Sequence, residues 1–546
     1  MGLDAWCRDA SLVGARQRLA LLGILFLALG LRLEDVHQPL IDFFSWREAS
    51  TAMMADNLPA NRWNPLWPEV SWTGDQPGYQ GRELQTLSVA AAVLDAIFGW
   101  QDWHGRLVAA ICGVISTFAL IRLVSLLHSP GQGLLSGAVY AVLPGAIAID
   151  RSYLPDPTML ALALVSLWLL AEGIARGSAR WTIAAWALAS FALLAKLPAL
   201  AAAPAAIYLV FSATHLDRRR FYALRLIGAL AASGIVVGAY YLWAIHLGRT
   251  YPPYHVAGDG WLWEEGLAEF WKEGFYLDTF RWHVETWLWM PAVIILAIAG
   301  FFASFDRRRV ANDGKLHAPW FFHIWFLGCA LFYVTAALEL RGNPWNLHIF
   351  NPPAAVFAAA GIALIADGVK SGFASARLLT VFVLVFTVFA TGQAGVDRIK
   401  GDEVGALDHA LGKHLAELSR EGDLVVASGT FAGSPVAILY SRRKGWPFPP
   451  PEEADQRGFH IYEDEVDDSA IEVLNDLVKR GAKLFGFVKS GQDWSEPNKY
   501  FIEHYSVLIA HLRERARTVY EDDSMAIFDL APLAEQTRRR VTRSRR

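Results

Sequence analysis

Long apolar runs recur through the first 394 residues and then stop. They lie at 18–33, 106–127, 132–149, 157–174, 181–195, 197–213, 223–245, 287–304, 319–338, 350–367 and 378–394. Each approaches the roughly 20 apolar residues that a bilayer-crossing helix needs, so eleven spans are expected. The first follows Arg8, Arg16 and Arg18 and has no small-residue cleavage site behind it, which reads as an uncleaved anchor. Segment 83–98 is shorter and holds Asp95. Its Leu84, Leu87, Ala91, Leu94 and Phe98 share one helical face, with Gln85, Ser88 and Asp95 on the other. That pattern predicts a helix lying in the headgroup plane. Past residue 396 the periodicity changes. GDLVVAS (422–428), PVAILYS (435–441) and AKLFGFVKS (482–490) predict strands, while 404–420 and 469–480 predict amphipathic helices. The expected architecture is a polytopic α-helical membrane protein with a C-terminal extracytoplasmic α/β domain. Its parts would be a transmembrane region 1–395 with a large outer loop 34–105, a soluble domain 396–535 and a basic tail 536–546.

Charge placement sets an orientation. With the N-terminus inside, the short inner loops collect Arg122, Arg176, Arg180, Arg218–Arg220, Arg307–Arg309, Lys370 and Arg377, as the positive-inside rule requires. Counting 83–98 as a span would put every later cluster outside. The expected location is therefore a bacterial inner membrane, with a cytoplasmic N-terminus and the C-terminal domain in the periplasm. Composition agrees: 54% of the 546 residues are hydrophobic and only 19% charged, which excludes a disordered chain and an ordinary cytosolic enzyme. A net charge of −4 supplies no basic field for nucleic acid. The three cysteines, Cys7, Cys112 and Cys329, are scattered and form no metal-like cluster.

Scarce ionisable residues in a membrane protein mark sites, and here they gather on the predicted outer side. Loop 34–82 is rich in Trp and Pro and holds Asp42, Arg47 and Glu48, with Tyr79 and Glu83 near its end. A short helix is expected from Ser45 to about Asp56, where Glu48 could close a capping box with Ser45; Asp42 precedes it with no evident capping duty. Asp150, Arg151 and Asp156 lie between two spans, and Asp156 could cap the helix that Pro157 opens. Lys196 interrupts an otherwise uncharged stretch, either snorkelling to the interface or facing a polar cavity as an anion ligand. Arg341 and His348 end a later outer loop, where His348 could be an interfacial histidine or a phosphate or sugar contact. Together these residues form an expected site at the outer bilayer surface. Carboxylates there could activate a hydroxyl, cations could stabilise a departing phosphate, and aromatic rings could hold a sugar. Group transfer from a lipid phosphate fits this better than ion conduction, which needs polar residues deep in the spans. Two alternatives are a transporter or flippase of lipid-linked glycans, which predicts broken helices and inverted repeats, and a glycan-binding factor merely anchored by its membrane part.

The ordered motifs carry a resemblance. Asp42, Trp46-Arg47, Thr51-Ala52 and Asn57 are followed by Trp67-Pro68 through Trp72, Gly78-Tyr79 with Glu83, and Gly105-Arg106-Leu107. Pro155-Asp156, Lys196 with Pro198, and His348 before Pro352-Pro353 complete the series. Over about 15–400 the chain resembles the membrane-embedded glycosyltransferases of the GT-C fold, in the bacterial branch with protein O-mannosyltransferases, lipid A aminoarabinose transferases and rhizobial galacturonosyltransferases. It departs from that pattern at Phe43, Ser71 and Ile349-Phe350. The resemblance implies an inverting glycosyltransferase that takes a sugar from a polyprenyl-phosphate donor at the outer leaflet and passes it to a glycan, lipid or protein acceptor. It implies Asp42 and Asp156 as catalytic carboxylates, the former as general base or as the group that orients the acceptor hydroxyl, the latter assisting it. Arg47, Lys196, Arg341 and His348 would be phosphate ligands, and Glu48, Tyr79 and Glu83 further substrate contacts. Two carboxylates could also hold a divalent cation such as Mg or Mn, although inverting chemistry can run without one.

Overall fold

The computed structural model describes residues 14–213, 216–256, 266–275, 281, 289–302, 316, 318–337, 340, 343–369, 374–401, 403–431, 433–451, 469–489, 501–502 and 505–535. The chain forms two compact units. One comprises Met1–Val36, His104–Tyr240 and Gly260–Ile399; the other comprises His37–Trp103, Tyr241–Asp259 and Lys400–Arg546. The outer loop, which the sequence grouped with the spans, thus clusters with the C-terminal domain.

The first unit is helical, and all eleven apolar runs fall on helices. Among the described residues four helices, His104–Leu127, Asp156–Arg176, Leu224–Thr250 and Pro344–Gly368, are long and apolar enough to cross a membrane. Pro130–Val142 and Pro144–Asp150 make a fifth if the pair is one span, bent by 65°. The sequence reading expected no broken helix. The cause of the break is Pro144, which lacks an N–H and whose ring displaces the carbonyl of the preceding turn; Leu143 before it is extended (φ −70°, ψ 123°). The other runs fall on shorter apolar helices or, for Ala15–Leu33, on one that carries Arg16, Arg18 and Arg32. Apolar side chains point outward from several helices, with Leu19, Phe26 and Ile235 at 72%, 70% and 73% exposure. Such rings and chains suit lipid rather than water. At one end of this unit Glu172 accepts from Arg122 at 3.2 Å and Arg176 at 2.7 Å, joining two of the arginines expected inside. Arg307–Arg309, Lys370 and the tail beyond 535 lie outside the described residues.

The second unit carries the sheet domain. Strands β3 (Leu424–Ser428), β4 (Gly445–Pro447), β5 (Ala482–Val488), β6 (Arg517–Glu521) and β7 (Met525–Asp529) stand in the order β4-β3-β5-β7-β6. β3 pairs in parallel with β4 and β5, while β7 runs antiparallel to β5 and β6. Helices Ala406–Leu418 and Ser469–Lys479 form where amphipathic segments were expected. The predicted strand PVAILYS is instead helix Val436–Ser441, buried along its whole length. A short run that is apolar on every side fits a buried helix as well as a strand, and Pro435 presets the helical entry. Phe448, Phe485, Phe487, Phe501 and Phe528 fill the core. Residues 37–103 tie into this domain through backbone bonds. Gly405 N–H donates to Ile41 O at 2.8 Å, Gly74 N–H to Gly445 O at 2.7 Å and Gly445 N–H to Ser71 O at 3.0 Å. Ion pairs Lys444–Glu69 (2.7 Å) and Arg480–Asp75 (2.7 Å) reinforce them. Strands β1 (Glu69–Val70) and β2 (Gly78–Tyr79) pair antiparallel inside the loop.

The loop helices form at Ser45–Asn57 and Thr86–Phe98. The second is not amphipathic in the expected sense. Ser88 is buried and donates to Thr51 O at 2.9 Å, while Ile97 and Phe98 are exposed. One satisfied hydroxyl lets the small-residue face of Leu87, Ser88, Ala91 and Ala92 pack inward, which leaves large apolar side chains on the outer surface.

Candidate active site

In the helical unit Asp156 and Lys196 meet as an ion pair. Lys196 Nζ donates to Asp156 Oδ1 at 2.9 Å and Oδ2 at 2.8 Å. Local structure brings this about. Asp156 is the first residue of helix Asp156–Arg176, and Lys196 follows the last residue of helix Ala179–Ala195. A carboxylate at a helix N-terminus and an ammonium at a C-terminus each suit the helix dipole. The cap position of that helix is Pro155, with no side-chain cap bond, so Asp156 is not the N-cap that the sequence allowed. Lys196 does not snorkel away, since its side chain is only 12% exposed.

A second network sits deeper. Asp150 accepts from Arg32 Nε at 3.0 Å, Arg32 Nη2 at 2.9 Å and Tyr140 OH at 3.1 Å, and its other oxygen lies 2.9 Å from His348 Nε2. His348 Nδ1 is 2.9 Å from Asn351 Nδ2, and Asn351 Oδ1 accepts from Trp289 Nε1 at 3.2 Å. Arg32, Asp150 and His348 are fully buried. Arg32 and Asp150 pack against Gly113, where a Cβ would stand 2.5 Å from Arg32 Nε and 2.8 Å from Asp150 Cβ. Gly113 lies about 2.5 turns into helix His104–Leu127. The sequence placed Asp150 at the outer surface; the structure ties it into a fully buried charged network. The missed signal was Arg32, an arginine at the end of the first apolar run. Both ring nitrogens of His348 are engaged, which leaves neither turned to an external phosphate in this arrangement.

In the sheet-bearing unit, Asp42 is fully buried one turn ahead of helix Ser45–Asn57. Its Oδ1 accepts from Phe44 N–H at 3.0 Å, and its backbone carbonyl accepts from Ser45 N–H at 2.8 Å. Asp42 therefore shapes the helix entry, a local duty the sequence did not predict. Ser45 is the first helical residue rather than the cap, and no side-chain cap bond forms there; Glu48 is buried in the first turn. Arg47 pairs with Glu83. The backbone of 79–81 runs beside 252–256, with Tyr79 N–H donating to Pro252 O at 2.9 Å and Gly81 N–H to His255 O at 2.8 Å. This brings His255 under the influence of Arg82 and Arg47. Burial, then those two positive charges, hold the His255 imidazole well below its ordinary value, so it is neutral at physiological pH. Arg82 Nε donates to Gln80 at 2.8 Å. Sequence reasoning singled out neither Arg82 nor His255, because nothing local shows that 255 returns to 82. Tyr79 stands in an aromatic group, its ring 4.9 Å from Trp67 and 5.1 Å from Tyr251. Burial raises its phenol above the usual range, assisted by Glu69. Arg341 lies outside the described residues. Among the described residues no group of three or more His, Cys, Asp or Glu side chains could hold a metal ion.

The chain is similar to known proteins in sequence and fold. A family model described as dolichyl-phosphate-mannose-protein mannosyltransferase matches residues 88–237. YycA of Bacillus subtilis (strain 168), provisionally named a mannosyltransferase, is 29% identical over 153 residues, which are 27% of this chain and 21% of that protein. The chain thus matches about a fifth of that relative's length. The crystal structure of ArnT from Cupriavidus metallidurans bound to undecaprenyl phosphate superposes with a TM-score of 0.60 at 13% identity, covering 95% of this chain and 98% of that one. The chain has the GT-C glycosyltransferase fold. The Archaeoglobus fulgidus oligosaccharyltransferase AglB, solved with an inhibitory peptide and dolichol-phosphate, shares this GT-C fold. It gives a TM-score of 0.56 at 10% identity, covering 87% of this chain and 70% of that one. The mycobacterial arabinofuranosyltransferase AftD gives 0.55 at 13% identity, covering 95% of this chain and 40% of that one. An AglB structure also carries Zn with sulfate.

Proposed function

We propose that the protein is an inverting glycosyltransferase that moves a sugar from a polyprenyl phosphate to an acceptor hydroxyl on the periplasmic face of a bacterial inner membrane. The observation that carries the reading is Arg47. Its Nη2 is held by Glu83, while its Nη1 is buried with no hydrogen-bond partner. An unfilled buried donor costs about 1–3 kcal/mol, and an anion there would recover it through charge-assisted bonds. Arg82 adds a second positive charge beside His255, which stays neutral. That suits the phosphate of a lipid-linked sugar.

Asp42 would take the proton of the acceptor hydroxyl as the oxygen attacks the anomeric carbon from the face opposite the phosphate. The bond from that carbon to the phosphate oxygen breaks, the configuration inverts, and polyprenyl phosphate leaves with the electron pair. Arg47 and Arg82 stabilise the leaving charge. Within the helical unit Lys196 is a separate candidate phosphate ligand, and Asp156, which pairs with it, is its positioning residue rather than a second base. Tyr79, with Trp67 and Tyr251, offers the sugar an apolar wall, and Glu48 and Glu83 fix the supporting helix and Arg47. His348 holds Asp150.

The test is a reconstitution. The full chain in proteoliposomes, given a bacterial extract of polyprenyl-phosphate sugars, should release polyprenyl phosphate and add one sugar mass to an acceptor. Translocation of the lipid-linked sugar with no new glycoside would overturn the proposal in favour of a flippase.

A further inference from the structure

A cavity of about 300 Å³ lies within the sheet-bearing unit, lined by none of the residues proposed for transfer. Its volume is at the lower end for small-molecule sites, which run from about 300 to 1,000 Å³, so it suits one ring. Its walls are of two kinds. Pro252, Tyr254, Pro450, Pro451, Val473 and Leu477 give an apolar, partly aromatic surface. Thr73, Gln76, Asp476, Arg480 and the indole of Trp446 give the polar side. Trp446 is 2% exposed, and its Nε1 is buried with no hydrogen-bond partner. A buried indole N–H normally finds an acceptor. The ring is fixed there: Gly74 (φ +71°) lies so close that a Cβ would fall 1.8 Å from the indole, and the Arg480 guanidinium sits 5.0 Å from the ring centroid.

The charges select the ligand. Arg480 spends Nε (3.0 Å) and Nη2 (2.7 Å) on Asp75, and its Nη1 stands 4.0 Å from Asp476. The one lining guanidinium is thus already shared between Asp75 and Asp476, which disfavours phosphate as its ligand. What remains is a carboxylate acceptor, an unfilled indole donor and an amide and phenol able to do both, above a C–H-compatible wall. A sugar ring presents that combination, with hydroxyls that donate and accept and an apolar face of ring C–H groups.

We propose that this cavity is a saccharide subsite that binds one neutral pyranose unit of a glycan through Asp476 and the Trp446 N–H. The binding stands independently of the transfer reading; that the glycan is the acceptor rests on it.

The test uses the full chain in lipid nanodiscs with methyl α-glucopyranoside, methyl α-galactopyranoside and methyl α-mannopyranoside as probes in saturation-transfer NMR, and inorganic phosphate as competitor. At least one pyranoside should give a signal that phosphate does not displace. Asp476→Asn and Trp446→Phe should each weaken it at least about fivefold, and Asp42→Asn should leave it unchanged. Asp476 is 60% exposed, so its variant keeps the fold and an unaltered melting curve confirms it. The proposal is overturned if no pyranoside gives a signal, if both pocket variants bind as the wild type does, if phosphate displaces the sugar, or if only Asp42→Asn abolishes binding. That last result places the sugar at the transfer residues and leaves the transfer reading intact.

Discussion

Asp150→Asn should strongly destabilise the helical unit. In the wild type the Asp150 carboxylate receives two bonds from Arg32 and one from Tyr140, and contacts His348. Arg32 has no exposure, and its Nη1 is bonded to the Ala28 and Ala141 carbonyls at 3.1 and 3.2 Å, so it cannot swing out to water. An asparagine keeps the shape but removes the countercharge. Breaking a buried pair by deleting one partner costs about 3–5 kcal/mol, whereas replacing both charges by apolar groups is often neutral or better. The expected result is therefore non-additive. Asp150→Asn and Arg32→Met should each cost about 3–5 kcal/mol. The double variant Arg32→Met with Asp150→Asn should cost at least about 2 kcal/mol less than the sum of the two single changes. Denaturant unfolding in detergent micelles, followed by tryptophan fluorescence, measures all three. A loss below about 1 kcal/mol for Asp150→Asn, or simple additivity in the double variant, would refute the reasoning.

Other consequences follow from single contacts. Lys196→Ala should abolish transfer by at least about 100-fold and destabilise the protein, because it strands the buried Asp156 carboxylate; Lys196→Arg, which restores a charge without the same reach, should recover part of the stability and little of the rate. Arg47→Met should raise the KM for the lipid-linked donor about 10-fold or more with a smaller change in kcat, read by steady-state kinetics against donor concentration. In the sheet domain Asp408 is buried, and burial raises its carboxyl above the usual 3.8 despite bonds from Ser434 and Thr430. A folded value above the unfolded one means the folded state binds the proton more tightly, so this contribution is full below about 3.8 and is lost as pH rises through the raised value. Asp408→Asn should flatten that fall in stability as pH rises above about 3.8, and an unchanged slope would contradict it.

Much of the layout was legible in the sequence because it is local. Apolar run length and arginine sidedness marked the helices, and Ser45–Asn57 formed within a residue of expectation. Asp156 and Lys196 were separately conspicuous because charge is scarce around them, and the fold pairs them. What the pattern could not carry was long-range partnership. Arg32 looked like a flanking arginine until residue 150 returned to it, and Arg82 gained a role only beside residue 255. PVAILYS failed for a related reason: whether a short, wholly apolar run lies in a sheet or on one depends on its neighbours, and here Val436–Ser441 covers the domain from within. Ser88 looked solvent-facing because its acceptor, the Thr51 carbonyl, belongs to another helix.

The central claim is that Asp42 starts transfer of a sugar from a lipid phosphate. Mass spectrometry of envelope glycolipids and glycans tests it most directly, comparing cells that lack the gene with cells complemented by the wild-type chain or by Asp42→Asn expressed and inserted at equal levels. The account predicts one sugar missing from one envelope component without the gene, restored by the wild type and not by the variant. An unchanged glycan profile without the gene, or full restoration by Asp42→Asn, would contradict it.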